Sequence, residues 1–357
     1  MHRSLLAYLC LLLFLSSPLF AKKVPVHALY IPLADHYAAI VALERYGKKM
    51  KHAKFSLTQM KNWDLLRAYF QAGEVDMAYA MTPLAIDMYN EKPHFKWIGL
   101  MHRDGNALAV NELIYKSITL PKERIKRKPN AEVALKFKEL YKQKKKSTLI
   151  GLPHLLSTHA VVLYRYLDEH GSTISFTPNK KADLLGIYLA PPKAPAFIKI
   201  KNKKSIPAAF EQSLPWADVV ETQHYGKVAW YSKDVMPWPD GHVECIALAT
   251  DEAILKKEKA VQEVMRFIKK SGKEIEAART KGGRSLQEIV EIIHKHIPAH
   301  TREAIHASLD PTLRVINYQN LNIDKAGLKQ IMDFAVEGGI IKQPVDIDRF
   351  ADTRFNN

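Results

Sequence analysis

Apolar and polar positions alternate from Val24 to Pro32, then apolar positions recur on one helical face from Asp35 to Tyr46 before Gly47, so this stretch reads as a strand followed by a helix. Lys54 to Gln59 reads as a second strand, Asn62 to Ala72 as a helix ended by Gly73, and Val75 to Ala80 as a third strand. Thr82 offers a hydroxyl N-cap with Pro83 at the first helical position, opening a helix over Leu84 to Tyr89, and His94 to Met101 is a further strand. Strand and helix alternating in this way predict a parallel α/β sheet.

Residues 113–147 break the rhythm. They carry Lys122, Arg124, Lys126, Arg127 and Lys128, then Lys142, Lys144, Lys145 and Lys146, around a short helix near Ala131 to Tyr141, and read as an exposed crossover segment. No aromatic interleaving and no Gly-Lys-Ser phosphate loop accompanies the basic run, which argues for a solvated surface and against nucleic acid. The pattern resumes at Ser147 with Leu149-Ile150, a helix over Thr158 to Glu169, then Ser172 to Phe176 and Ala182 to Leu189, closed by Pro191-Pro192. A second lobe begins there. Val243 to Ala249 is strand-like, and Glu252 to Lys270 places Ile254, Val261, Val264, Met265 and Ile268 at helical spacing. The remainder to Asn357 reads as mainly helices punctuated by Pro298, Pro311 and Gly338-Gly339, with no internal repeat.

A length of 357 residues, more than twice the usual ~150 per domain, supports the two lobes. The first 21 residues stand apart: His2 and Arg3 precede an apolar run from Leu5 to Leu15, and Ser16 to Ala21 resembles a cleavage region ahead of Lys22-Lys23. That run is roughly half of the ~20 residues a spanning helix needs, so an export signal cleaved after Ala21 is expected, with no span in the mature chain. Leu9 before Cys10 argues against lipoprotein processing, and removal of Cys10 leaves Cys245 as the only cysteine, with no intramolecular disulfide possible. Lys plus Arg total 53 against 37 Asp plus Glu, a formal +16, which points to an anionic ligand, nucleic acid or an anionic membrane face.

Catalytic and metal signatures are sparse. There is no Gly-x-Ser-x-Gly, His-Glu-x-x-His, Gly-x-Gly-x-x-Gly or Cys-x-x-Cys. His294, His296, His300 and His306 form the one histidine-dense stretch, but Pro298 between His296 and His300 would break a helical metal pair, so neither a metal nor a cofactor is expected. Loops that follow strands carry more information, because α/β sheets place ligands beyond strand ends, where helix N-termini offer free N–H groups. Pro32 to Tyr37 with Asp35 and His36, Asn62-Trp63, Met81-Thr82-Pro83, and Ser157-Thr158-His159 are such loops. Trp63 has a packing alternative beside Leu66, Tyr69 and Phe70, Thr82 has a capping one, and Trp216 is balanced between pocket and core.

The order of motifs resembles the nitrate/bicarbonate/sulfonate-type substrate-binding proteins of ABC importers. The resemblance rests on YIPLADHYAAIVA, KNWDLLRAYFQAGEVDMAYAMTPLAI and DGNALAV, followed by PHLLSTHAVVLYRYLDEHG, LAPPKAPAF, SIPAAFEQSLPWADVV and YGKVAWYSKDVMPWPDGHVECIALA. It implies a two-lobed periplasmic-binding-protein fold, type II-like, with lobe one at 22–112 and 242–357 and lobe two at 113–241. It also implies a non-catalytic monomer in the periplasm that captures a small anionic solute and delivers it to a membrane permease. By motif, the family's contacting positions fall on Trp63, Asn106, Ser157 and His159, with Trp216 near the pocket; Asp35, His36 and Thr82 complete the expected set. Leu214 stands where the family often has an acidic residue and Asn106 where it often has Gln, which leaves the ligand's identity open. Binding of a thiamine-pyrimidine precursor, or a related enzyme using His36 or His159, is the alternative.

Overall fold

The structure, a computed structural model, describes residues 22–178 and 181–356; the expected export segment lies outside the described residues. The first sheet holds β1 (Val24–Tyr30), β2 (Ala53–Gln59), β3 (Met77–Met81), β4 (Phe95–Leu100) and β12 (Cys245–Thr250), in the order β2-β1-β3-β12-β4. The second holds β6 (Asn106–Asn111), β7 (Thr148–Leu152), β8 (Ile174–Ser175), β9 (Leu184–Tyr188), β10 (Ala208–Ser213) and β11 (Gly226–Tyr231), in the order β11-β6-β10-β7-β9-β8. A short ladder joins β5 (Arg103–Asp104) to β13 (Ile316–Asn317). The longer helices are α1 (Tyr37–Tyr46), α2 (Trp63–Gln71), α3 (Thr82–Glu91), α4 (Ala131–Lys144), α5 (Thr158–Glu169), α6 (Ala194–Lys203), α7 (Trp216–Thr222), α8 (Asp251–Lys281), α9 (Gly283–His296), α10 (Arg302–Ser308) and α11 (Lys325–Glu337).

This is the two-lobed α/β architecture expected, with one change in the first sheet. β1 runs parallel to β2 and β3, but the returning strand β12 inserts between β3 and β4 and is antiparallel to both, so the sheet is mixed. Ala78, Ala80, Ala247 and Ala249 are buried in the paired strands β3 and β12, whose covered faces leave no room for alternation with polar residues.

The change of lobe comes earlier than residue 112. β6 pairs antiparallel with β10 and β11, so Asn106–Asn111 belongs to the second sheet and the first crossing is Met101–Gly105. Gly105 is needed there: its φ is +95°, and a Cβ would lie 3.0 Å from His102 Nδ1. The second crossing, His242–Glu244, touches the first through an Arg103–Val243 bridge and leads directly into β12.

The C-terminal helices do not belong to lobe one alone. α11 packs against α3 of the first lobe and α5 of the second, and α10 packs against α7 of the second. α8 runs on to Lys281, past the expected end at Lys270, and Gly272 within it lets the Tyr318 carbonyl oxygen approach to 2.7 Å from where a Cβ would stand. Among the described residues, no helix is long and apolar enough to cross a membrane.

The basic segment before α4 is only partly a solvated surface. Arg127 is buried, and all five of its N–H donors are used: Nε on Pro121 O, Nη1 on Glu221 Oε2 and Val228 O, and Nη2 on Glu221 Oε1 and Lys122 O. Arg124 bonds the Tyr231 hydroxyl at 2.6 Å and pairs with the buried Asp218. Both arginines tie the segment to α7 and β11, a role that charge counting does not reveal.

Candidate functional site

The lobes meet along a seam built from strand ends. The loop after β1 supplies Asp35 and His36, the first crossing His102, the start of β6 Asn106, the start of α5 His159, the end of β10 Glu211, Gln212 and Ser213, the second crossing His242 and Glu244, and the first position of β12 Cys245. All of these side chains are buried. Backbone contact is direct, with Ala34 N donating to Leu214 O at 2.8 Å. The Glu244 carbonyl accepts from Thr82 Oγ1 of the first lobe at 2.8 Å and from Thr158 Oγ1 of the second at 3.3 Å. Thr82 therefore does not cap α3 through its side chain; its hydroxyl holds the second crossing instead.

Charge in the seam is carried by carboxylates and imidazoles. His102 Nε2 lies 2.9 Å from Glu244 Oε2 and 3.4 Å from Asp35 Oδ2. Ser213 Oγ donates to Asp35 Oδ2 at 3.0 Å and lies 2.9 Å from His159 Nε2, while His159 Nδ1 stands 3.4 Å from Glu244 Oε1. His36 Nδ1 is 2.7 Å from the Ile31 carbonyl, which only accepts, so that nitrogen carries the proton and Nε2 turns its lone pair to Cys245 Sγ at 3.3 Å. No lysine or arginine is among these groups.

Burial and proximity set the protonation states. Burial opposes charge on His102, but Asp35 and Glu244 outweigh it and push its imidazole up to about 10. Burial works against the Asp35 carboxylate too, and His102 outweighs it, holding Asp35 below its usual range. Glu244 is pushed up to about 7 by burial and then by Asp35, and Glu211 is pushed well up by burial, Glu244 and Asp35. Burial drives His36 down to about 4 and His159 down to about 3, so both rings are neutral near pH 7.

Many polar atoms here have no hydrogen-bond partner among the described residues. They include Asp35 Oδ1, His102 Nδ1, Asn106 Oδ1, His159 Nδ1, both Glu211 oxygens, Gln212 Oε1 and Glu244 Oε1, with Trp63 Nε1 and Tyr79 OH nearby on the first-lobe side. An unsatisfied buried polar atom costs ~1–3 kcal/mol, so proteins keep few of them and rarely cluster them. A cluster of such atoms at a lobe junction is the feature of this structure that calls for an explanation.

The expected residues divide accordingly. Asp35, His36 and His159 stand within the hydrogen-bonded cluster; Asn106 is in register with Ser213 across β6 and β10. Trp63, fully buried, reaches the cluster through the His36 ring, edge to face at 6.3 Å. Ser157 is occupied in capping α5, accepting from Ala160 N at 3.0 Å, and Trp216 Nε1 donates to Pro32 O across the lobes at 3.1 Å. The sequence reading omitted His102, Ser213, Glu211, Glu244 and Cys245. One signal was available: an acidic residue beside a histidine-bearing stretch inside the apolar run HVECIALA.

The histidines of the histidine-dense stretch are engaged in hydrogen bonds. His296 pairs with Glu44, His306 with Gln287 and His294 with the His300 carbonyl. Buried His300 instead helps seal the seam, donating from Nε2 to Pro32 O at 3.0 Å and meeting the Tyr37 hydroxyl at Nδ1. Among the described residues, the group of side chains that could hold a metal ion is Asp35, His102, Glu244 and Cys245.

Comparison with known proteins agrees with the architecture. A ligand-binding component of an ABC-type import system from Staphylococcus aureus, solved with zinc bound, is 18% identical, with 94% of this chain and 98% of that one covered at a TM-score of 0.71. The periplasmic nitrate-binding protein NrtA of Synechocystis PCC 6803 is 15% identical, with 94% and 87% covered at 0.74. The alkanesulfonate-binding protein SsuA of Xanthomonas axonopodis pv. citri, bound to MOPS, is 12% identical, with 93% and 99% covered at 0.67. No curated protein matches the sequence. The model of the NMT1-like family matches residues 21–290, more than half of the chain, and the chain therefore belongs to the NMT1-like family.

Proposed function

We propose that this chain is an extracytoplasmic solute-binding protein of an ABC import system, which captures a small polar solute between its lobes and presents it to a membrane permease. The observation that carries this reading is the concentration of buried, unpartnered polar atoms at a seam to which both sheets and both crossings contribute. Its work is binding, not bond-making. A nitrate, bicarbonate or sulfonate-like anion is the solute class that the family resemblance suggests. The donors available to it are the Trp63 indole N–H, the Tyr79 hydroxyl, the Asn106 amide and the protonated Glu211 carboxyl. Export by residues 1–21 with cleavage after Ala21, a periplasmic location and a monomeric state belong to the same reading.

A thermal-shift screen with nitrate, bicarbonate, sulfonates and pyrimidines tests it. A ligand at 100 times its dissociation constant adds ~2.7 kcal/mol of stability. One anion class raising the melting temperature supports the reading, and a response to pyrimidines alone redirects it to the precursor-binding alternative. A flat response across the panel removes the anion assignment.

A further inference from the structure

On its hinge side the seam holds a donor set of mixed hardness. Asp35, His102, Glu244 and Cys245 each offer one ligand atom, these atoms all lie within 4.8 Å of one another, and all four residues are buried. They arrive from three separate segments: the loop after β1, the first crossing, and the second crossing with the first residue of β12. A tetrahedral centre with Zn–S near 2.3 Å and Zn–N or Zn–O near 2.0–2.1 Å needs ligand atoms roughly 3.3–3.8 Å apart. His102 Nε2 is 2.9 Å from Glu244 Oε2 and 3.4 Å from Asp35 Oδ2, so these two pairs already stand at or inside that spacing, and with every pair within 4.8 Å the remaining gaps close with a contraction of no more than about an ångström.

Groups outside the four point at the same place. His159 Nδ1, buried and without a hydrogen-bond partner, is 3.4 Å from Glu244 Oε1, itself unpartnered. His36 is fixed by its bond to the Ile31 carbonyl so that its Nε2 lone pair faces Cys245 Sγ at 3.3 Å. Two buried carboxylates share the single imidazole of His102, with no lysine or arginine among the seam groups, and a dication bound there would take the place of the proton on that ring. A thiol, an imidazole and two carboxylates together select a borderline-soft ion over calcium or magnesium, which take oxygen ligands.

We propose that the seam binds one divalent transition-metal ion of the zinc class through Asp35, His102, Glu244 and Cys245, a site that deepens the solute-binding reading and rests on it. Metal-free full-length chain, titrated with Co²⁺ as a spectroscopic stand-in and with Zn²⁺ against a chromophoric chelator, provides the test. The expected result is one ion per chain with a thiolate-to-cobalt charge-transfer band. Cys245→Ser retains cobalt but loses that band, and Asp35→Asn weakens zinc binding at least about tenfold, with thermal melts confirming that both variants fold. No stoichiometric binding overturns the proposal, as does binding with no thiolate band and unchanged affinity in both variants, which would place the ion on surface groups such as His296 and Glu44. A negative metal titration alongside stabilisation by an anion or pyrimidine that His159→Ala abolishes overturns the metal and leaves the solute-binding reading standing.

Discussion

Two buried polar clusters in this molecule are built from similar side chains and solve opposite problems. Around Arg127 every guanidinium donor has an acceptor, and Glu221 receives two of those bonds at 2.7 and 2.8 Å and a third from Val228 N at 3.0 Å. Burial alone would raise the Glu221 carboxyl, yet Arg127 holds it below its usual range. In the seam, carboxylates face imidazoles, and oxygens and nitrogens are left over on Asp35, Asn106, His159, Glu211 and Glu244. A satisfied cluster fixes a loop to its lobe; an unsatisfied one lowers the stability of the chain that carries it. The contrast also bears on the molecule's basicity: the formal charge of +16 does not extend to the seam side chains named above.

The sharpest way to break the contrast is to damage the satisfied cluster. Arg127→Met strands Glu221 without its cation and is expected to cost ~3–5 kcal/mol in urea unfolding, with no loss of the response to ligand. A smaller cost, or a lost response, would mean that the two clusters are not separate in function.

Acid should act on the seam side of the comparison. Burial drives His300 down to about 3, whereas in the unfolded chain it titrates near 6.5. The unfolded state therefore binds more protons between those values, so the stability His300 contributes is complete above about 6.5 and is lost as pH falls towards 3. Unfolding free energy followed by urea titration from pH 7 to pH 4 is expected to drop by an amount on the order of a few kcal/mol, and His300→Gln to flatten the slope. An unchanged slope in the variant would assign the acid sensitivity to other groups.

Filling the seam with apolar surface should do the reverse of damaging Arg127. Glu211 is buried with neither oxygen partnered, so Glu211→Leu is expected to stabilise the ligand-free chain by ~1–2 kcal/mol in the same urea measurement. Destabilisation of that size would show Glu211 to be a structural group after all. The smallest effect concerns Trp63, whose indole packs on His36 with its N–H free. Trp63→Phe keeps most of the packing and is expected to change stability by less than ~1.5 kcal/mol while lowering ligand affinity, measured by calorimetry.

Most of the fold was legible because apolar periodicity marks strands and helices one at a time. Pairing is a different matter: nothing in the spacing of NALAVN says that β6 joins the second sheet, or that β12 returns between β3 and β4. Part of the candidate site was legible where loops follow strands, which led to Asp35, His36 and His159, all of which stand in the seam cluster. The candidate site was hidden where a seam residue lies inside an apolar run, as with Glu244 and Cys245, and where a side chain has two possible uses. Thr82 looks like a helix cap and holds the second crossing instead. Arg127 looks like part of a solvated run and is an anchor.

The most direct measurement is the ligand-induced rise in melting temperature, recorded in parallel for the unmodified chain, His159→Ala and Arg127→Met with the solute that gives the largest shift. The account predicts that Arg127→Met melts lower but keeps the full rise, and that His159→Ala melts near the unmodified chain and loses it. A full rise in His159→Ala would contradict the claim that the seam is where this protein binds its solute.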